Sequence, residues 1–123
     1  MHGLTFLWVA LGSATGGVLR YAVSLLLATG GLFPWGTLAV NVLGSLAIGV
    51  LSGFLARGGA HVEAIRAFAV VGVCGGFTTF STFSNEMFRL FESGRYALLA
   101  TYVAVSLIGG FLAVLTGYAL SRL

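Results

Sequence analysis

Twelve consecutive residues, Gly75-Gly76-Phe77-Thr78-Thr79-Phe80-Ser81-Thr82-Phe83-Ser84-Asn85-Glu86, place a glycine pair, five hydroxyls, a carboxamide and a carboxylate inside an apolar segment of membrane-spanning length. In hydrocarbon every backbone N–H and C=O needs a partner. A glycine-rich interruption at that depth therefore persists only where protein buries it or where it lines a wet cavity. Flanked by Thr, Ser, Asn and Glu, it reads first as part of a transport path and second as a packing device. Asn41, Tyr102 and Ser106 add polar groups from neighbouring apolar segments. Hydroxyl and amide donors without fixed charge replace part of a hydration shell while holding an ion loosely enough to release it. Phenylalanine ring edges carry the positive end of the ring quadrupole, so Phe80 and Phe83, three apart on one helical face, suit an anion; the same spacing also suits ordinary core residues. A lane of ring edges and hydroxyls fits a small, hard, monovalent anion. Glu86 argues the other way, since a bare carboxylate favours cations or protons unless it is paired with Arg89 or protonated. There is no Ser/His/Asp set, no metal-ligand spacing and no phosphate loop, so the expectation is not an enzyme.

The 123 residues are 59% hydrophobic and 7% charged, against about 25% charged usage in soluble domains. Mean hydropathy is +1.06. This is the composition of an all-α integral membrane protein, and the length holds about four spans in a single domain, 1–123. Four thin helices cannot enclose a wide pore, so self-association with closed symmetry is expected. The net charge of +3 comes from six Arg and three Glu with no run of like charge, which leaves no electrostatic footprint for nucleic acid. Cys74 is the only cysteine and reads as a small buried hydrophobe.

The elements that position these groups follow from the apolar runs. A first helix over about 5–27 is too long for a signal core and is expected to remain as a span. Its Gly12, Ser13, Gly16 and Gly17 form small-xxx-small pairs that let a neighbouring backbone approach. Arg20, one to two turns from its end, either snorkels to the headgroups or faces a wet vestibule. A turn with Gly30, Gly31, Pro34 and Trp35 leads to a second helix over about 37–55, on which Asn41, Ser45, Gly49 and Gly53 make one stripe that must face protein. Asn41 serves there as interhelical glue or as pore lining. The loop 56–64 faces water, and neither His61 nor His2 has partners for a metal. The third span, about 65–91, breaks near 75–79. A fourth over about 96–120 carries Gly109, Ala113 and Gly117 for packing and Tyr102, Ser106 and Gly110 on a more polar face; Tyr102, two turns in, also suits an interfacial belt.

With four spans, Arg57, Arg66 and Arg122 fall on one side of the membrane, and Arg20, Arg89 and Arg95 on the other. The positive-inside bias is close to zero. A chain without orientation preference inserts both ways and yields an antiparallel dimer; six charges are also few enough to balance by chance.

Three motifs are spread along the chain: Gly16-Gly17-Val18-Leu19-Arg20-Tyr21, Gly36-Thr37-Leu38-Ala39-Val40-Asn41-Val42-Leu43-Gly44, and Gly75 to Ser84 as written above. Together they resemble the signatures of the Fluc/CrcB fluoride channels. The resemblance implies a passive, selective fluoride channel in the bacterial inner (plasma) membrane that exports fluoride and protects against its toxicity. It implies an antiparallel, dual-topology homodimer of four-helix subunits with a broken third helix and two pores. Carried over by motif position, the pore residues would be Asn41, Phe80, Phe83, Ser81, Thr82, Ser84, Glu86, Tyr102 and Ser106, with Arg20 at the vestibule. A structural Na⁺ would be held by the backbone carbonyls of Gly75 and Thr78 from both subunits. Gly110 stands where some family members have a further serine. The competing reading is a small dual-topology, proton-coupled multidrug exporter with Glu86 as its embedded carboxylate.

Overall fold

The computed structural model describes residues 2–123 and is helical throughout its long segments. Helix α1 spans His2–Leu26 and α2 spans Trp35–Leu55. The segment 62–77, here α3, is α-helical over Val62–Ile65, π-helical over Arg66–Cys74, and α-helical again over Gly75–Phe77. Then α4 covers Phe80–Glu92 and α5 Tyr96–Ser121. By length and composition α1, α2, α5 and the stretch Val62–Glu92 can each cross a membrane.

Small residues decide how these helices meet. Lipid tails are as apolar as leucine, so helices associate in a bilayer through close packing, and glycine lets backbones touch. The two most extensive helix contacts are α1 with α3 and α2 with α5. In the first, a Cβ at Gly12 would meet the Phe68 carbonyl and the Gly72 backbone, and one at Gly16 would meet the Val73 carbonyl. The five-residue step from Phe68 to Val73 on this face matches the i→i+5 repeat of the π-helical stretch, in which the Gly75 N–H reaches the Val70 carbonyl. In the second pair, Gly49 faces the backbone at Val114 and Tyr118, while Gly117 faces that of Leu46 and Val50. The molecule is thus two tight pairs laid side by side.

The third span departs from helical dihedrals only at Thr78 (φ −82, ψ 157) and Thr79 (φ −149, ψ 120). Gly75 keeps a helical φ of −62 and ψ of −39. The expected interruption over 75–79 is therefore narrower than the glycine pair suggested. Gly76 serves close approach instead, because a Cβ there would lie 3.1 Å from the Ser13 Cα and 3.2 Å from the Gly17 N. Where the chain does need a left-handed residue, it has one at Gly94 (φ 75). There the Gly94 N–H bonds to the Phe91 carbonyl and the Arg95 N–H to the Leu90 carbonyl, closing α4 with a Schellman motif.

A small aromatic core of Phe83, Leu90 and Tyr102 joins α4 to α5, with Phe33 from the α1–α2 turn packed on it. Tyr102 is fully buried, with 0% of its surface exposed, and makes ring contacts with Phe83 (5.0 Å between centroids) and Phe33 (5.5 Å). It is a core residue and not an interfacial belt tyrosine, because the α1–α2 turn folds Phe33 over it.

The packing predicts a contrast between adjacent glycines. Gly16→Ala forces the α1–α3 backbones apart and should destabilise the protein by about 1–3 kcal/mol, the usual cost of overpacking. Gly17→Ala, with open space at its Cβ position, should be tolerated. Thermal unfolding of the purified protein in detergent distinguishes them.

Candidate functional site

The helical ladder runs as far as the Thr78 N–H, and from the Thr79 N–H onward side chains take over. The Thr78 N–H and hydroxyl both bond to the Cys74 carbonyl, at 3.0 and 2.9 Å. Thr79 is clamped on both sides by one side chain: its N–H donates to Asn41 Oδ1 at 2.8 Å, and Asn41 Nδ2 donates to its carbonyl at 3.1 Å. The Gly76 carbonyl accepts from Arg20 Nε at 3.1 Å. On the far side Thr79 is the N-cap of α4, its hydroxyl accepting from the Thr82 N–H at 3.3 Å and lying 3.1 Å from the Thr82 hydroxyl. Arg20 is thus tied through Nε to the end of α3.

The carbonyls of the last turn before the break lose their helical donors, those of Gly75 and Thr78 among them. In an unbroken helix the Thr79 N–H would serve Gly75 O and the Thr82 N–H would serve Thr78 O. Here the first goes to Asn41 and the second to the Thr79 hydroxyl. Among the described residues no group of three or more His, Cys, Asp or Glu gathers that could hold a metal ion. A cation at this break would instead find backbone oxygens, the donor type suited to hard monovalent ions.

Beside the break lies a cavity of about 260 Å³ lined by Asn41, Ser45, Thr78, Thr79, Phe80, Phe83 and Ser106, with Ile48 and Leu107. It gathers Asn41, Phe80, Phe83 and Ser106 from three separate helices. The Phe80 and Phe83 rings are 6.1 Å apart and tilted by 56°. Their settings differ: Phe83 is 6% exposed and Phe80 76%. Ser106 Oγ is buried without a hydrogen-bond partner among the described residues. A buried hydroxyl left unpaired is costly, and where it borders a cavity it is a donor waiting for a guest. No ionisable side chain lines this space. Ser45 was legible from its four-residue spacing to Asn41 but was not among the expected site residues.

The remaining residues sort differently. Glu86 accepts from the Tyr102 hydroxyl at 3.3 Å and borders two further cavities. One, of about 340 Å³, runs along the α1–α2 turn and includes Ser24, Thr37 and Thr82; the other, of about 280 Å³, includes Arg89 and Ser93. Thr82 and Glu86 thus stand together at the end nearer the turn, and Tyr102 lies behind them. Ser81 is exposed and Ser84 half-buried on α4. Buried Thr37 and the packing of Phe33 over Tyr102 were missed from the sequence, where the turn read only as breakers and an interfacial Trp.

The family model for CrcB-like protein, Camphor Resistance (CrcB), matches residues 7–118. Among curated relatives, the "Fluoride-specific ion channel FluC" of Phocaeicola vulgatus is 44% identical, with 96% of this chain and 98% of the relative covered. The protein of the same name from Methylobacterium nodulans is 46% identical, with 97% of both chains covered. That of Agrobacterium fabrum is 49% identical, with 93% of both covered.

The Tyr102–Glu86 bond can be separated from the ring packing. Tyr102→Phe keeps the rings and leaves the carboxylate without that donor, which should cost about 1–2 kcal/mol. Tyr102→Ala also opens a cavity and should cost about 3–5 kcal/mol. Unfolding temperatures of the two variants in one detergent should therefore fall clearly in that order.

Proposed function

This chain belongs to the CrcB-like (Fluc) family, and from that premise we propose that it is a passive, fluoride-selective channel of the bacterial plasma membrane. The observation that carries the reading is the charge-free cavity beside the break, where the unpaired Ser106 hydroxyl, the Asn41 amide and the Phe80 and Phe83 rings converge. Fluoride is the smallest and most strongly hydrated halide. A site that strips its water must supply donors close in, and one that passes it quickly must not hold it with a full positive charge. Hydroxyl, amide and ring-edge donors meet both conditions. Chloride, larger and more weakly hydrated, gains less from such short contacts. Ser81, Thr82 and Ser84 on α4, with Glu86 and Tyr102, would extend the hydroxyl track toward the turn. Hydrogen fluoride enters cells as a neutral weak acid and dissociates inside. A passive anion path out of a negative-inside cell lowers internal fluoride and so protects against it.

Two copies inserted in opposite directions would complete the channel. The near-equal arginine count on the two sides supports dual topology, and the 76% exposure of Phe80 leaves one ring of the pair for a second copy to cover. The released Gly75 and Thr78 carbonyls fit a structural Na⁺ shared between such copies. When bound, it would neutralise carbonyl dipoles that the bilayer would otherwise leave unsatisfied.

Purified protein in liposomes loaded with fluoride, with K⁺ and valinomycin to balance charge, should release fluoride quickly and chloride negligibly. Phe83→Ile and Phe80→Ile should each slow release at least tenfold while still purifying as dimers. Glu86→Gln should retain fluoride release. Equal release of both halides, or normal fluoride release from both phenylalanine variants, would contradict the proposal.

A further inference from the structure

We propose that Asn41 is a positioning residue for the cation site at the break, acting as a surrogate peptide that holds the Gly75 carbonyl free; the inference rests on the sodium reading above. The two-bond pairing with Thr79 is the pairing a neighbouring β-strand would make, and Thr79 has strand dihedrals (φ −149, ψ 120). One side chain therefore fixes one extended residue within a helical span. Without it the Thr79 N–H would be left unpaired in a low-dielectric interior. Its nearest acceptor by helical register is Gly75 O, the oxygen that the cation requires. Asn41 thus decides whether that carbonyl faces an ion or closes a helical hydrogen bond.

The same side chain has capacity left over. A carboxamide offers two N–H groups and two oxygen lone pairs, and the Thr79 pairing uses one of each. Asn41 also lines the cavity that holds Ser106, Phe80 and Phe83. It is therefore a physical link between the break and the anion cavity, and sodium occupancy and the cavity's donor geometry are coupled through it. Thr79 extends the link, since its hydroxyl caps α4 and sets the start of the helix that carries Phe80 and Phe83.

The test uses full-length reconstituted protein in NaCl against N-methylglucamine chloride. Wild-type protein should unfold at a higher temperature with Na⁺, in a saturable manner. Asn41→Leu, similar in size and without either hydrogen-bonding group, should lose at least tenfold in apparent Na⁺ affinity. A purely structural role would lower the unfolding temperature equally in both salts and leave the Na⁺ increment intact, which would overturn the proposal. Should Asn41→Leu fail to fold, NMR of selectively ¹⁵N-labelled wild type decides. Na⁺ titration should shift both the Asn41 side-chain amide and the Thr79 backbone amide, and unmoved signals alongside Na⁺ stabilisation overturn it. If wild-type protein gains nothing from Na⁺, the sodium reading itself fails and takes this inference with it; an intact Na⁺ increment in Asn41→Leu removes the inference alone.

Discussion

A peptide group in hydrocarbon cannot lend its hydrogen bonds to water, and the rest of this structure is arranged around that constraint. Two consecutive residues, Thr78 and Thr79, leave the helix within a stretch long and apolar enough to span a membrane. Groups from three helices compensate: Asn41 from α2, Arg20 from α1, and the Thr78 and Thr79 hydroxyls from the segment itself. Irregular backbone at such depth is found where protein buries it or where it borders a cavity, and here both conditions hold.

Close packing by glycine makes that compensation geometrically possible. Arg20 reaches the Gly76 carbonyl because Gly12, Gly16, Gly72 and Gly76 let α1 and α3 touch along their backbones. Asn41 reaches Thr79 because α2 lies close to the break, where Gly44 faces the Thr78 side chain. The α2–α5 pair, held by Gly49 and Gly117, brings Ser106 to the same cavity. The small residues thus do more than join helices; they set the distances over which short polar side chains act.

Much of this was readable in the sequence, for identifiable reasons. Apolar run length marked the spans, since a bilayer sets a minimum length, and the Asn41–Ser45–Gly49–Gly53 stripe declared a protein-facing side because carboxamides and glycines gain nothing from lipid. The position of the irregular backbone was less legible. Glycine signals both a bend and a close approach; Gly76 uses the second and Gly75, helical with room for a Cβ, uses neither, leaving two threonines to carry the extended conformation. Tyr102 was ambiguous because depth along a helix does not tell whether a neighbouring turn folds over it, as Phe33 does. The Arg20–Gly76 bond spans 56 residues, and no local pattern announces it. The π-helical stretch Arg66–Cys74, which packs against α1, was likewise announced by no local pattern.

The polar lane that starts from the charge-free cavity beside the break is proposed to carry fluoride passively. The most direct test is the reversal potential of macroscopic current through the reconstituted protein in a planar bilayer, with a tenfold fluoride gradient and, separately, an added pH gradient. A passive fluoride path predicts reversal near the fluoride equilibrium potential, about 59 mV for a tenfold gradient, unmoved by pH. Reversal that tracks the proton gradient would contradict the account, because it would mean that ion movement is coupled through a titrating group such as Glu86.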